Sequence, residues 1–418
     1  MKKLITLSAA VITALSLFSC GSTNGSGSQP KEESSAVTAQ DIGSPAPVKT
    51  DSSDFRTYVS NTYISTGNNY WVDSADSVTY RAYFPVEEYG ELEYKFYFSN
   101  TVDSTYDDGK HGYVGQVGEG YTIENAFIAD GGTSVEDEIT GYSPVTFSGS
   151  TERQVSGGET FWSDPVSFDV PEGHFLVWEW TVTGQGLPAT SMSNLTKTLA
   201  DYGDGKGMVY CDQLPLPQLI GAKRDVKYRI SAVGDSITQG CQTQFMEYEF
   251  WAARIAQRLG SQSSFYNCGL GWSRTSDIAA GGDWISRAAQ SDVVIVAFGT
   301  NDIISGEYGG DGGNSADEIL QYLRTVVTRL KDEGCSVIVF SAPPEDYREN
   351  MEAVRKEYNE KLPELCQELG VTLFDFASYL SAPEDPAHAL YGGHPNGEGG
   401  QIVADAFVEE FGTFLGIE

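Results

Sequence analysis

Two hydrophobic periodicities divide this chain. From about Phe55 to Leu219 apolar and polar positions mostly alternate, as on a half-buried strand. Leu92, Tyr94, Phe96 and Phe98 are interleaved with Glu93, Lys95 and Tyr97 up to Ser99-Asn100. The run from Phe175 to Val182 predicts a second strong strand, closed by Gly184. Val78 to Val86 and Val145 to Ser148 predict further strands. Short strands separated by Gly, Asp and Ser clusters point to an antiparallel sandwich resembling a jelly roll. Trp178 and Trp180 share one face and are expected in its core. Trp71 and Trp162, beside turn residues, are the better candidates for the surface.

After Pro215-Leu216-Pro217 the character changes, and the boundary is expected between Gly221 and Asp225. Short apolar runs follow at Val226–Val233, Phe265–Asn267, Val293–Phe298, Val337–Ser341 and Val371–Phe374. Helical patterns separate them, over Phe245–Leu259, from the capping box at Ser315 and Glu318 to Gly334, over Arg348–Leu369, and from Glu398 to Leu415. On that last helix Ile402, Ala406, Phe407 and Phe411 are expected on one face. Strands alternating with helices predict a parallel sheet covered on both faces, a three-layer α/β/α domain. The expected organisation is a targeting segment over 1–20, a tether over 21–54, the β-sandwich over 55–222 and the α/β domain over 223–418.

The targeting segment has Lys2 and Lys3 ahead of an apolar run, Leu4 to Phe18, too short to span a bilayer comfortably. It ends in Leu17-Phe18-Ser19-Cys20, which resembles a bacterial lipobox. That resemblance implies cleavage before Cys20, lipid on its thiol and an exported protein anchored to the membrane. An ordinary secretory signal is the alternative. Ser, Gly, Thr and Pro dominate from Gly21 to Val48, the composition of a flexible tether.

Charge removes some partners. With 59 acidic against 26 basic residues the formal net charge is −33, which repels nucleic acid and anionic lipid. Beyond Cys20 there are Cys211, Cys241, Cys268, Cys335 and Cys366, without metal-ligand spacing. A disulfide between Cys241 and Cys268 is one option. The 23 Tyr, 20 Phe and 7 Trp suit a sugar-handling protein or simply a β-rich core. The acidic, Gly-rich loop Gly306–Asp317 and the pair Asp107-Asp108 lack the ligand spacing of an EF-hand.

In a parallel sheet of this kind ligands gather at the carboxyl ends of the strands. The residues at those ends are Gly234-Asp235-Ser236-Ile237-Thr238, then Asn267-Cys268-Gly269-Leu270-Gly271, then Gly299-Thr300-Asn301-Asp302, with His394-Pro395-Asn396 ahead of the last helix. In this order they resemble the blocks of the SGNH hydrolases, also called GDSL esterases. The resemblance covers Val226 to Glu418; the front half, with Phe98-Ser99-Asn100 and Trp162-Ser163-Asp164-Pro165, more loosely resembles the β-sandwich of some two-domain bacterial carbohydrate acetylesterases.

The resemblance implies a serine esterase. Ser236 is the candidate nucleophile and needs a base. Of the four histidines, His111 and His174 lie in the front half. His394 has the family's context, whereas His388 has the Asp-x-x-His spacing to Asp385; His394 is preferred. Three residues before His394 stands Tyr391, where the family places an aspartate. Asp385, Glu384 or a backbone carbonyl remains to orient the ring. The oxyanion hole is expected from the Ser236 N–H, a backbone N–H of the 267–271 turn assigned to Gly271, and the Asn301 amide. The family's glycine commonly falls where Trp272 stands, one residue on, and Trp272 is expected to narrow the acyl pocket. No metal or organic cofactor is implied. The expected activity is removal of small acyl groups, chiefly acetyl, from polysaccharide. A general carboxylesterase or lipid acylhydrolase, and a surface glycan-binding lipoprotein with a degenerate site, are the alternatives.

Overall fold

The computed structural model describes residues 54–103, 115–192, 194–304, 314–380 and 394–415. The alternating segment 92–98 lies in the strand Gly90–Ser99, which buries Tyr94, Phe96 and Phe98. Around it one antiparallel sheet is ordered Tyr58–Ser60, Leu219–Lys223, Gly90–Ser99, Val166–Val170, with Thr160–Trp162 also paired to Gly90–Ser99. The second sheet centres on two long strands, Tyr70–Phe84 and Leu176–Ser191. The inner faces meet through aromatic rings. Phe96 stands 4.7 Å from Trp178, and Phe98 5.5 Å from Trp180. Both tryptophans are fully buried, so they are core residues as expected.

Three local expectations fail here. Gly184 does not end its strand; a register shift between Val182 and Gly184 forms a bulge, and pairing continues to Ser191. A Cβ at Gly184 would lie 2.4 Å from that of Tyr121, so the bulge admits only glycine. Val145–Ser148 is not a strand; the pairing segment is Thr140–Pro144. Trp162 is half-buried rather than presented, with Phe55 at 4.8 Å, Tyr97 at 5.2 Å and the Lys95 ammonium 5.7 Å above its ring. Trp71 is half-buried, opposite Pro188.

From Tyr228 a parallel sheet takes over. Its order is Ser263–Gly269, Tyr228–Gly234, Val293–Ala297, Ser336–Phe340, Thr372–Phe374. Ile230 and Ala232 enter one core with Trp251, Ile255, Val403 and Phe407 from two helices, Trp251–Leu259 and Gly397–Leu415. Val233, Val294 and Val296 enter another with residues of the helices Thr275–Ala280, Asp283–Ala288, Ala316–Asp332 and Glu349–Leu369. Helices on both faces make the layers α/β/α. The first core also contains the sandwich residues Phe96 and Trp178, so apolar packing is continuous from one half to the other.

The capping box forms as read, with Ser315 and Glu318 satisfying each other's backbone N–H. The helix expected from Phe245 starts only at Trp251, because Met246 and Tyr248 hold positive φ of 62° and 47°. On the last helix the buried stripe is Val403, Ala404, Phe407 and Phe411, leaving Ile402 and Ala406 half-buried. None of the five described cysteines is disulfide-bonded, so Cys241 and Cys268 are not a bridge. Among the described residues no helix is long and apolar enough to cross a membrane.

Candidate active site

The strand Tyr228–Gly234 has the Ser263–Gly269 strand on one side and Val293–Ala297 on the other. The chain therefore leaves it first one way and then the other, and a crevice opens at its carboxyl end. There Asp235 caps a single helical turn, Ser236–Gln239, accepting the Ile237 N–H at 2.9 Å. Gly240 ends the turn at φ 103°. Ser236 is half-buried within an otherwise buried segment.

Two glycines let this turn sit on the sheet. A Cβ on Gly234 would lie 2.0 Å from Thr238 Oγ1 and 2.6 Å from the Ala297 carbonyl oxygen. One on Gly269 would lie 2.3 Å from the Gln239 backbone nitrogen. Asn267 completes the support, donating from Nδ2 to the Thr238 carbonyl at 2.9 Å and accepting the Gly269 N–H at 2.8 Å.

His394 reaches the serine from the far end of the chain. Its Nε2 is 2.9 Å from Ser236 Oγ. Asn396 holds the approach, with Oδ1 accepting the Gly399 N–H at 3.0 Å in the first turn of Gly397–Leu415. Burial removes the water that would solvate an imidazolium and lowers the His394 pKa to about 4. The ring is thus neutral at pH 7, a form in which Nε2 can accept a hydroxyl proton. Among the described residues its Nδ1 has no hydrogen-bond partner. Asp385, Glu384, His388 and Tyr391 lie outside the described residues, as do His111 and Cys20.

Asn301 opens the helix Thr300–Ile304 directly after the Val293–Ala297 strand. Its Nδ2 donates to the Ser273 carbonyl at 3.0 Å. An amide nitrogen has two hydrogens, so the same group can hold Ser273 and address an oxyanion. Asp302 is buried and accepts both the N–H and the hydroxyl of Thr275, at 2.8 and 2.9 Å. Burial raises its pKa to about 6 and that of Asp235 to about 7. Asp302 ties the asparagine block to the helix that follows the glycine turn, a role that sequence reading left unassigned.

The Gly271 N–H, expected in the oxyanion hole, is committed instead to Gln239 Oε1 at 2.8 Å. A donor bound to a side chain is not aimed at the oxygen of an incoming ester. Trp272, one residue on, has φ 67°, the left-handed conformation that glycine adopts without strain. Its backbone therefore takes the conformation natural to the glycine that the family commonly has there. Gln239 is the site residue that sequence reasoning missed; it lies within the nucleophile segment itself, but its partner is 32 positions away.

Residues 232–402 match the model of the GDSL-like Lipase/Acylhydrolase family. This segment is a GDSL-like domain. It runs from the strand Tyr228–Gly234 into the last helix and so contains Ser236, Asn301 and His394. Solved structures similar to the chain include a member of the lipolytic protein G-D-S-L family from Veillonella parvula, at 22% identity over 44% of this chain and 98% of that one, with a TM-score of 0.37. Another is Axe2, an acetylxylan esterase from Geobacillus stearothermophilus, at 21% identity over 45% and 95%, TM-score 0.37. A third is the YXIM protein of Bacillus subtilis, at 15% identity over 79% and 80%, TM-score 0.38. No curated protein matches the chain. Among the described residues no three His, Cys, Asp or Glu side chains are grouped to hold a metal ion.

Proposed function

We propose that this protein is a serine esterase that removes small acyl groups, chiefly acetyl, from polysaccharide outside the cell, tethered there through a lipid on Cys20. The observation that carries the esterase reading is the 2.9 Å contact between Ser236 Oγ and a neutral His394 Nε2 at the sheet's switch point. His394 takes the hydroxyl proton as Oγ attacks the ester carbonyl. The oxyanion forms beside the Ser236 N–H and the Asn301 amide, in a pocket bounded by the Gly271–Trp272 turn; each donor aimed at it is worth roughly 3–4 kcal/mol. Collapse expels the sugar oxygen, which takes the proton from His394. Water then attacks the acyl carbonyl as His394 takes its proton; collapse breaks the bond to Oγ, which takes that proton back from His394, and the acid leaves.

Asp385 is the proposed orienting group for His394 Nδ1. The acetyl preference rests on Trp272, which follows the glycine turn and whose indole would narrow the acyl pocket to a short group. The polysaccharide assignment rests on the export signal, the repulsion of anionic lipid by a charge of −33, and the abundance of Tyr, Phe and Trp. The acyl preference is read from paired kinetics on acetyl and octanoyl esters. Acetyl is expected to be preferred by about tenfold or more in kcat/KM, the scale on which pocket size discriminates. Trp272→Ala should narrow that ratio. Equal turnover of the two esters by the unaltered protein would sink the acetyl assignment.

A further inference from the structure

Both halves of the molecule meet at the turn beside Ser236. Gln239, buried at the end of the helical turn that Ser236 opens, holds two backbone groups at once. Its Oε1 accepts the Gly271 N–H at 2.8 Å, and its Nε2 donates to the Ser191 carbonyl at 2.5 Å. Ser191 ends the long sandwich strand Leu176–Ser191, and its own N–H donates to Asn69 Oδ1 at 3.0 Å. Asn69, also buried, places its Nδ2 3.5 Å from where a Cβ on Gly271 would stand. Downstream, the Ser273 hydroxyl stands between the Leu270 carbonyl at 2.7 Å and the Gly234 carbonyl at 3.0 Å, which ties it to the turn and to the sheet. Between these ties Trp272 keeps a left-handed φ that a bulky residue holds only where its surroundings impose it.

We infer that Gln239 is a positioning residue that couples the sandwich to the oxyanion hole: through it the Ser191 strand end fixes the Gly271–Trp272 turn next to the nucleophile. The chemistry explains the residue type. One anchor is a donor and the other an acceptor, and a primary amide satisfies both with a single planar group. The inference rests on the esterase reading and deepens it: the sandwich is part of what sets the rate of the chemical step.

The test uses the full chain and a soluble acetyl ester. Gln239→Met keeps the length of the side chain and removes both backbone hydrogen bonds, together with the one its Oε1 accepts from the Cys241 thiol at 3.4 Å. Gln239→Glu keeps the acceptor for Gly271 and loses the donor for Ser191. Gln239→Met is expected to lower kcat by about tenfold or more while KM stays within about threefold, since a displaced wall of the oxyanion pocket is felt chiefly in the transition state. Gln239→Glu should fall between it and the unaltered protein. Asn69→Ala, which loosens the same tie from the sandwich side, should lower kcat by a smaller factor, with the melting temperature recorded for every variant. Folded Gln239→Met with undiminished kcat, or with its loss confined to KM, overturns the inference. If Gln239→Met does not fold, Asn69→Ala decides: a selective fall in kcat supports the coupling and an unchanged kcat overturns it. An unaltered protein inactive on every ester would remove the esterase reading, and this inference with it. Activity in that protein without these selective losses removes the inference alone.

Discussion

At the scale of the residue, the pKa of His394 decides when the site can work. Burial lowers it to about 4, so a base governed by burial alone stays neutral down to that pH. A carboxylate facing Nδ1 would stabilise the imidazolium and raise the value. If Asp385 orients His394, Asp385→Asn is expected to move the acid limb of kcat/KM downward, toward about pH 4, with a lower plateau above it. A limb that does not move takes Asp385 out of the site. Ser236 and His394 were legible because each sits in a short motif tied to the end or start of one element. Gln239 was not. Its partners are backbone groups at Gly271 and Ser191, which no side-chain pattern announces.

At the scale of the element, the decisive feature is a helical turn laid against a strand end. Asp235 starts it, Gly240 stops it, and Gly234 and Gly269 remove the side chains that would hold it off the sheet. Gly269→Ala puts a methyl 2.3 Å from the Gln239 nitrogen, a backbone atom that cannot swing aside. Overpacking of this kind costs about 1–3 kcal/mol. The expected result is a lower melting temperature with kcat reduced by more than about tenfold, read from thermal melts and ester kinetics on one preparation. Preserved kcat would show that Ser236 does not depend on that contact. Most strands and the capped helix Ala316–Asp332 were readable from periodicity. The start of Trp251–Leu259 was hidden because apolar Phe245 and Met246 continue the helical pattern while the backbone turns through positive φ. Gly184 misled for a related reason: a glycine marks a bulge and a strand end alike.

Across the whole molecule, the two halves are joined by buried polar contacts as well as by apolar packing. The Asp103 carboxylate, from the sandwich side, pairs with Arg287 at 2.9 Å and accepts the Trp284 N–H at 3.0 Å. Tyr97 reaches Asp283 at 3.1 Å, and Glu87 accepts the Phe265 N–H at 3.0 Å. The Ser65 hydroxyl donates to the Gly269 carbonyl at 2.6 Å, directly under the glycine turn. These partners are far apart in sequence, so composition and periodicity gave two domains but not the seam between them. Arg287→Leu strands a buried Asp103 carboxylate, and breaking such a pair costs about 3–5 kcal/mol. Denaturant unfolding at neutral pH should show that loss, whereas an unchanged midpoint would mean that the pair contributes nothing to the seam. Hydrolysis of acyl esters on polysaccharide by Ser236 and His394 is read from acetate release from acetylated xylan, mannan, pectin and peptidoglycan. Release from at least one polymer is expected, reduced on the order of a thousandfold or more by Ser236→Ala; no release from any of them, or equal release by Ser236→Ala, would overturn the esterase reading.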